Sequence, residues 1–399
     1  MISQDINYIG VNDHAIDLFE GQFSVPNGMA YNSYMIMDKK IAVIDSVDAH
    51  FMQMWMENIR HILNGKTPDY IIVQHMEPDH SGSLIQFLNT YPEAKVVASP
   101  KAFAMIKNFF NADVSERQIV ACDGGSLSLG KHKLSFIAAP MIHWPEVIMT
   151  YDSTEQVLFS ADAFGKFGAL DKQEKWEPEA RRYYIGIVGK YGNPVQTVLK
   201  KLAALSVHSI CPLHGPVLTG DIGHYLALYN TWSTYDPEEN GILIAYTSVY
   251  GNTRKAVEIM KEMLVKEGQR VTVYDLARCD MSQAVADAFR YSKLIMATTT
   301  YNNDIFPPMR AFVEHLTARG FCNRTVAVIE NGSWAPAAAR VIRGLLEKSK
   351  NLIYIEPVVT LRSALNEESV AQLKQAAKAL CEDGVPLSEC PTGNKNLPA

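Results

Sequence analysis

Short β-branched apolar runs closed by turn residues recur between Ile9 and about Tyr229, with segments of helical periodicity between them. Ala30 to Ile36 and Ile41 to Ile44 predict a hairpin joined at Asp38-Lys39-Lys40, its second strand ending in Asp45-Ser46-Val47. A helix is predicted across Phe51 to Leu63. Tyr70-Ile71-Ile72-Val73, bounded by Pro68 and Pro78, reads as a short buried strand, and Leu84, Ile85, Phe87 and Leu88 as part of a helix that Ser81 would cap. A strand at Lys95 to Ala98, a helix at Lys101 to Phe110 and paired strands from Ser126 to Ala138 follow. The expectation is an α/β domain with its strands in two groups and helices outside them.

The pattern changes after the polar segment from Ser233 to Asn240, which marks a domain boundary and divides the chain into 1–238 and 239–399. Beyond it, strands and helices alternate strictly: Ile242 to Tyr246, Thr253 to Glu267, Arg270 to Leu276, Ser282 to Phe289, Lys293 to Ala297, Met309 to Arg319, Thr325 to Ile329, Ala335 to Lys348, Leu352 to Val359 and Glu367 to Cys381. Five strands with intervening helices predict a doubly wound parallel sheet.

Composition narrows the function classes. Two domains suit 399 residues, because a single core rarely grows past about 250 to 300 residues. Apolar residues at 47% and charged residues at 20% are those of an ordinary globular protein, and a formal net charge of -6 offers no basic surface for nucleic acid. The N-terminus lacks a basic region followed by an apolar one, and no apolar run approaches the roughly 20 residues that cross a bilayer, so a cytoplasmic protein without a membrane partner is expected. The six cysteines form no Cys-x-x-Cys pair. Neither a disulfide framework nor a built-in iron-sulfur or rubredoxin centre is expected, nor a reductase or rubredoxin module after Cys390.

Candidate chemistry gathers at strand ends. Directly after the Tyr70-to-Val73 run, Gln74-His75-Met76-Glu77-Pro78-Asp79-His80-Ser81-Gly82 places two imidazoles and two carboxylates within six positions. These groups are costly to bury without partners, and they are the ligand types of borderline first-row metals, with Asp or Glu able to bridge two ions. His143, Asp162 and His214 each follow another apolar strand. Four strands ending in His or Asp point to a two-metal site at one sheet edge. The other histidines, His14, His50, His61, His132, His208, His224 and His315, read as surface or core residues.

In the second domain the first strand runs into Thr247-Ser248-Val249-Tyr250-Gly251-Asn252-Thr253, where hydroxyls and backbone amides at a helix N-terminus suit a phosphate and Gly251 permits close approach. Neither a nucleoside-triphosphate loop nor a Gly-x-Gly-x-x-Gly dinucleotide loop is present. The third strand closes on Thr299, Thr300, Tyr301 and Asn302, and the fourth on Asn331, Gly332, Ser333 and Trp334. Such loops lie outside the carboxyl ends of a parallel sheet, where ligands bind. In flavodoxin-like sheets, which this alternation resembles, such loops flank the flavin ring, so Tyr301 and Trp334 are candidates to cover it and Thr299 and Asn302 to supply hydrogen bonds.

The His-x-Glu-x-Asp-His run from His75 to His80, followed by His143, Asp162 and His214, resembles the metallo-β-lactamase-like half of the flavodiiron proteins, and Ser-x-Tyr-Gly-Asn-Thr resembles the flavodoxin phosphate loop. The resemblance covers essentially the whole chain, in the family's domain order. It implies an N-terminal metallo-β-lactamase-like αββα sandwich and a C-terminal flavodoxin-like domain. The zinc hydrolases of the metallo-β-lactamase superfamily carry His-x-His-x-Asp-His, so Glu77 replaces an imidazole by a carboxylate and favours iron. The resemblance implies one iron held by His75, Glu77 and His143, the other by Asp79 and His214, with Asp162 bridging and His80 either ligating or turned away. It implies FMN on the second domain, although Asn331-Gly332-Ser333 stands where the commoner family form has a Gly-rich segment with an aromatic. The activity implied is reduction of dioxygen to water or of nitric oxide to nitrous oxide, with electrons from rubredoxin or a reduced deazaflavin. The resemblance leads to the expectation of head-to-tail dimers, alone or paired into a tetramer, in which one subunit's flavin meets the other's irons. The competing expectation is a zinc-dependent hydrolase fused to a flavodoxin.

Overall fold

The computed structural model describes residues 2–382, in two compact units divided between Thr234 and Tyr235. Cys390 lies outside the described residues.

The first unit is built on two sheets. In the six-stranded sheet the order is Ile6–Tyr8, Tyr34–Ile36, Ala42–Ile44, Tyr70–Val73, Lys95–Ala98 and Gln118–Val120, antiparallel over the first three and parallel thereafter. The five-stranded sheet runs Ser126–Ser128, Lys133–Ala138, Ile148–Asp152, Val157–Phe159 and Ser209–Cys211, with only the last pair parallel. Alternate residues of a strand face opposite ways. Ile44, Ile72 and Val97 accordingly pack with Leu134, Phe136, Ile148 and Phe159 between the sheets, whereas Val43, Ile71 and Val96 join Trp55, Ile59, Phe87 and Ile106 of the covering helices. This is an αββα sandwich.

Two local expectations are corrected in this unit. The Ala30-to-Ile36 strand is two: Met29–Tyr31 pairs with Val11–Asp13 in a small separate sheet, and only Tyr34–Ile36 forms the hairpin with Ala42–Ile44. Between them Asn32 turns its side chain to the carbonyls of Pro212 and Gly215, at 2.8 and 2.7 Å, which interrupts the run. Ser81 caps nothing. It closes a four-residue helix, Pro78–Ser81, and its hydroxyl donates to the Met76 carbonyl at 2.8 Å. The following helix, Leu84–Thr90, begins after Ser83 without a side-chain cap.

The second unit carries a parallel sheet in the order Val271–Asp275, Glu239–Tyr246, Tyr291–Tyr301, Arg324–Asn331, then Leu352–Tyr354 and Val359–Leu361 side by side on the last strand. Numbered by sequence this is 2-1-3-4-5, the doubly wound order. Its three central strands are apolar on both faces because both are covered. Ile242, Ile244, Ile295 and Ile329 pack under helices Asn252–Lys266 and Glu367–Cys381, while Leu243, Leu294, Met296 and Val326 are buried on the opposite face. The strand expected from Leu352 to Val359 is thus split in two. The helix expected over 335–348 is confined to Ala338–Leu345. Among the described residues no helix is long and apolar enough to cross a membrane.

Candidate functional site

The central strand Tyr70–Val73 delivers Gln74 and His75 at its carboxyl end, and Asp45 fixes their backbone. Asp45 closes the neighbouring strand in a left-handed conformation, φ 53°. Its Oδ1 accepts from the amides of Gln74 at 2.7 Å and His75 at 3.3 Å, and its Oδ2 from Gln74 Nε2 at 3.0 Å. Burial raises this carboxyl to about 6, against the charge of His80 and the bonds from Gln74. Pro78 then opens the short helix that turns Asp79 and His80 inward.

The structure brings all seven candidate ligands together in two buried groups: His75, Glu77, His143 and Asp162, and Asp79, His80 and His214. In the first group Glu77 Oε2 lies 3.2 Å from His75 Nε2 and 2.9 Å from His143 Nε2. In the second, Asp79 Oδ2 lies 3.2 Å from His80 Nε2 and 3.3 Å from His214 Nε2. Asp162 faces both: its Oδ2 is 3.0 Å from His143 Nε2 and its Oδ1 3.3 Å from His80 Nε2. His80 therefore turns into the site, its Nε2 only 3.0 Å from that of His214.

The outward nitrogens of His75 and His214 are tied. His75 Nδ1 donates to Glu146 Oε1 at 2.8 Å, and His214 Nδ1 donates to the carbonyl of Ala30 at 2.8 Å. Each bond fixes the tautomer that turns the Nε2 lone pair inward, the form that binds a metal. Neither Glu146 nor Asp45 was singled out from the sequence, yet both hold candidate ligands in place. Glu146, three positions past His143, is 2% exposed. A carboxylate buried so completely needs a partner. That requirement was the available signal.

Protonation follows from this crowding. Burial alone would lower the His75 imidazole, but Asp162, Glu146 and Glu77 hold it well above its ordinary value. His143, against the same cost of burial, is brought up to about 9 by Asp162 and Glu77. Glu77 is drawn down to about 2 by His143 and His75 although burial opposes this, and Asp162 is likewise held well below the usual range by His75, His143 and His80. Imidazole protons are what keep these carboxylates ionised. Two buried nitrogen pairs face one another at 3.3 and 3.0 Å, and both oxygens of Asp79 and of Asp162 are buried without an ideal hydrogen-bond donor. Cations placed among these atoms would take over the protons' role, so the donor set fits two metal ions.

The predicted flavin residues lie at the carboxyl ends of the second unit's strands, in two roles. Some tie loops together: Thr247 Oγ1 meets Thr298 Oγ1 at 2.6 Å, and Thr253 Oγ1 accepts from Asn331 Nδ2 at 3.4 Å. Others form an open edge. Gly251 has φ 90°, with nothing within 4 Å of where a Cβ would stand, and Ser248 Oγ accepts from the amides of Gly251 and Arg254 at 3.1 and 3.3 Å. Tyr250 and Trp334 are 94% and 89% exposed and Tyr301 45%; Val249, Asn302 and Ser333 are exposed beside them, and Asn252 and Gly332 half-buried. Thr299 Oγ1 is buried without a partner among the described residues. Aromatic faces, a helix N-terminus and a free hydroxyl on one edge fit a phosphorylated aromatic cofactor. The loop after Val359–Leu361 also belongs to this edge and was missed: Ser363 Oγ meets Ser333 Oγ at 2.5 Å, and its amide donates to Asn331.

Comparison with known proteins covers both units. Residues 29–215 match the model of the ODP family of beta lactamases, and residues 244–354 that of flavodoxin. An anaerobic nitric oxide reductase flavorubredoxin of Escherichia coli is 28% identical over 352 residues, 85% of this chain and 73% of its own. A rubredoxin oxygen:oxidoreductase of Desulfovibrio gigas superposes with a TM-score of 0.89 at 24% identity over 96% of this chain and 97% of its own. A flavoprotein of Thermotoga maritima does so with 0.82 at 26% identity, over 94% and 95%.

Proposed function

This chain belongs to the flavodiiron proteins, and from that premise we propose that it reduces dioxygen to water, nitric oxide to nitrous oxide, or both, at a diiron centre fed through FMN. The observation that carries the reading is the placing of Asp162, one oxygen in each of two imidazole-carboxylate groups. In this reading His75, Glu77 and His143 would hold one iron and Asp79 and His214 the other, with Asp162 shared between the two groups. His80 joins the second group, because its Nε2 faces both His214 and Asp162.

When bound, the irons and flavin supply the paired electrons that reduction of a diatomic oxidant requires. This chain's residues contribute the setting. Glu146 and the Ala30 carbonyl orient the imidazoles, Asp45 fixes the backbone beneath them, and buried rings of Phe19, Phe167 and Tyr183 shield the His214 side from water. At the other edge the 247–253 loop would receive the FMN phosphate, with Tyr250, Tyr301 and Trp334 available to the ring and Thr299, Asn302, Gly332 and Ser333 to its polar rim. A zinc hydrolase fused to a flavodoxin is not favoured, since Glu77 puts a carboxylate where those enzymes carry a second imidazole.

The donor is a separate carrier, reduced rubredoxin or a reduced deazaflavin, and the working form a head-to-tail homodimer or a tetramer of such dimers, in the cytoplasm. The test is metal and flavin content per chain on protein purified without added metal, followed by oxidation of reduced rubredoxin under dioxygen and under nitric oxide. Two irons and one FMN per chain with consumption of either gas are expected. Zinc with FMN and no gas consumption would overturn the reading.

A further inference from the structure

Away from the two ligand groups, a further set of metal-binding side chains gathers in the first unit: Asp5, His132 and Glu155, with one candidate ligand atom from each within 4.8 Å of the others. Parts of both sheets meet there. Asp5 directly precedes Ile6–Tyr8, the edge strand of the six-stranded sheet. His132 stands between Ser126–Ser128 and Lys133–Ala138 of the five-stranded sheet, and Glu155 between Ile148–Asp152 and Val157–Phe159.

Surface carboxylates often cluster without binding anything, so the imidazole decides the case. His132 is fully buried. Its Nδ1 donates to Asp152 Oδ2 at 2.7 Å, and that carboxylate is buried as well, its Oδ1 accepting from the Thr154 amide at 3.0 Å. The His132 amide in turn donates to Asp38 Oδ2 at 2.7 Å. The ring is thereby fixed with Nε2 facing Asp5 Oδ2 at 3.3 Å. Two ligands each about 2.0 to 2.1 Å from a shared ion at a tetrahedral angle stand about 3.4 Å apart, so this gap is already that of a coordination edge. The carboxylate behind the imidazole repeats the relation of Glu146 to His75, the arrangement that turns the opposite nitrogen toward a metal. Positive charge is held here by replaceable groups. Lys131 Nζ lies 2.5 Å from Asp5 Oδ2 and 3.7 Å from Glu155 Oε1, at the end of a side chain that is 58% exposed. Burial alone would lower the His132 imidazole, but Asp152 and Asp5 hold it above its ordinary value.

We propose that Asp5, His132 and Glu155 form a third metal site, which takes one divalent ion of the zinc class and ties the edge of one sheet to the turns of the other. One imidazole nitrogen and two carboxylate oxygens are zinc ligands, and water completes the shell on the exposed side. Binding displaces the Lys131 ammonium into solvent and releases the Nε2 proton of His132, so the charge on the carboxylates stays compensated. The role is structural, and it does not depend on the function proposed above.

The experiment titrates Zn2+ into the full-length protein as purified, with its bound metals and flavin, and compares the native chain with Asp5→Asn, Glu155→Gln and Lys131→Ala. None of these three side chains is buried, so the variants keep the fold. Calorimetry gives the affinity, metal analysis the stoichiometry, and anomalous scattering at the zinc edge the place in the crystal. One added zinc per chain is expected, saturating at micromolar free zinc, with its peak between Asp5, His132 and Glu155 and a raised melting temperature. Asp5→Asn and Glu155→Gln should lose affinity by about tenfold or more, no less than loss of a group behind a ligand costs. Lys131→Ala should bind several-fold more tightly, because the competing ammonium is gone; a purely structural ion pair predicts no such gain. Zinc taken up only in exchange for metal already bound, only at millimolar concentration, or at another place in the crystal overturns the site. So does native affinity in both Asp5→Asn and Glu155→Gln, and affinity in Lys131→Ala that is unchanged or weaker overturns the displacement on which the site depends.

Discussion

Replacing Glu146 by alanine tests whether the groups behind the ligands set metal affinity. Glu146 Oε1 accepts from His75 Nδ1 at 2.8 Å and from the Met76 amide at 2.9 Å, and the carboxylate lies fully inside the unit. In Glu146→Ala the His75 ring can rotate and can move its proton to Nε2, where it blocks coordination. Loss of such a partner weakens metal binding by about 10- to 100-fold, which corresponds to about 1.4 to 2.7 kcal/mol. Separately, the Met76 amide is left without its acceptor, at a cost of about 1 to 3 kcal/mol in stability. Competition with a ferrous chelator under anaerobic conditions reads the first effect and thermal melting of the metal-free protein the second. Glu146→Gln separates hydrogen bond from charge, because its amide oxygen can still accept from Nδ1; its iron affinity should fall between those of Ala and native. A chelator curve for Glu146→Ala that superimposes on the native one would refute the argument, and equal losses for Gln and Ala would show that charge, not orientation, dominates.

Asp162→Asn should leave fewer than one iron per chain by elemental analysis, since both groups lose their shared anion; a retained pair would remove Asp162 from the bridging position. The pH dependence of the metal-free protein follows from two shifted groups. His143 is raised to about 9, so its contribution, about 3 kcal/mol at 1.36 kcal/mol per unit, is fully present below its unfolded value of roughly 6.5 and lost as pH rises through 9. Glu77 is depressed to about 2, so its contribution is present above roughly 4.5 and lost as pH falls through 2; the two groups pair with each other and count once. Melting temperature from pH 3 to 10 should fall at both ends, and a profile flat above pH 8 would contradict the His143 assignment. Iron loading near neutral pH should also release protons, visible in a weakly buffered dye assay. Trp334→Ala should weaken FMN binding about 2- to 12-fold by fluorescence titration, from about 0.5 to 1.5 kcal/mol of ring contact, and change stability by no more than about 0.5 kcal/mol because the side chain is 89% exposed. Unaltered FMN affinity would take Trp334 off the ring.

The candidate ligands were legible because the fold makes them so. A strand buried on both faces reads as an unbroken apolar run, and the polar residues just after it stand at the sheet's carboxyl edge. His75, Asp162 and His214 follow their strands in this way, and so do the loops at Thr299 and Gly332. Ser81 misled for a local reason: Pro78 starts a helical turn of its own, which consumes the Ser as a loop tie and moves the next helix start past Ser83. The break at Asn32 has a long-range cause instead, its amide reaching carbonyls 180 and 183 residues away.

The supporting groups were illegible for the same physical reason that makes them effective. A ligand needs only to reach the edge, so its position in the chain announces it; a support must meet a particular ring nitrogen or amide, and that meeting exists only once two distant segments have come together. Glu146 finds His75 across 71 residues, the Ala30 carbonyl finds His214 across 184, and Asp45 finds Gln74 across 29. None has a spacing that could be read along the chain. What can be read is the debt each leaves: a carboxylate inside an apolar neighbourhood must be bonded or neutral. Applied to Asp45, which stood in plain sight at the end of a predicted strand, that rule already required partners in the next loop, and the next loop at that edge is the one that carries His75.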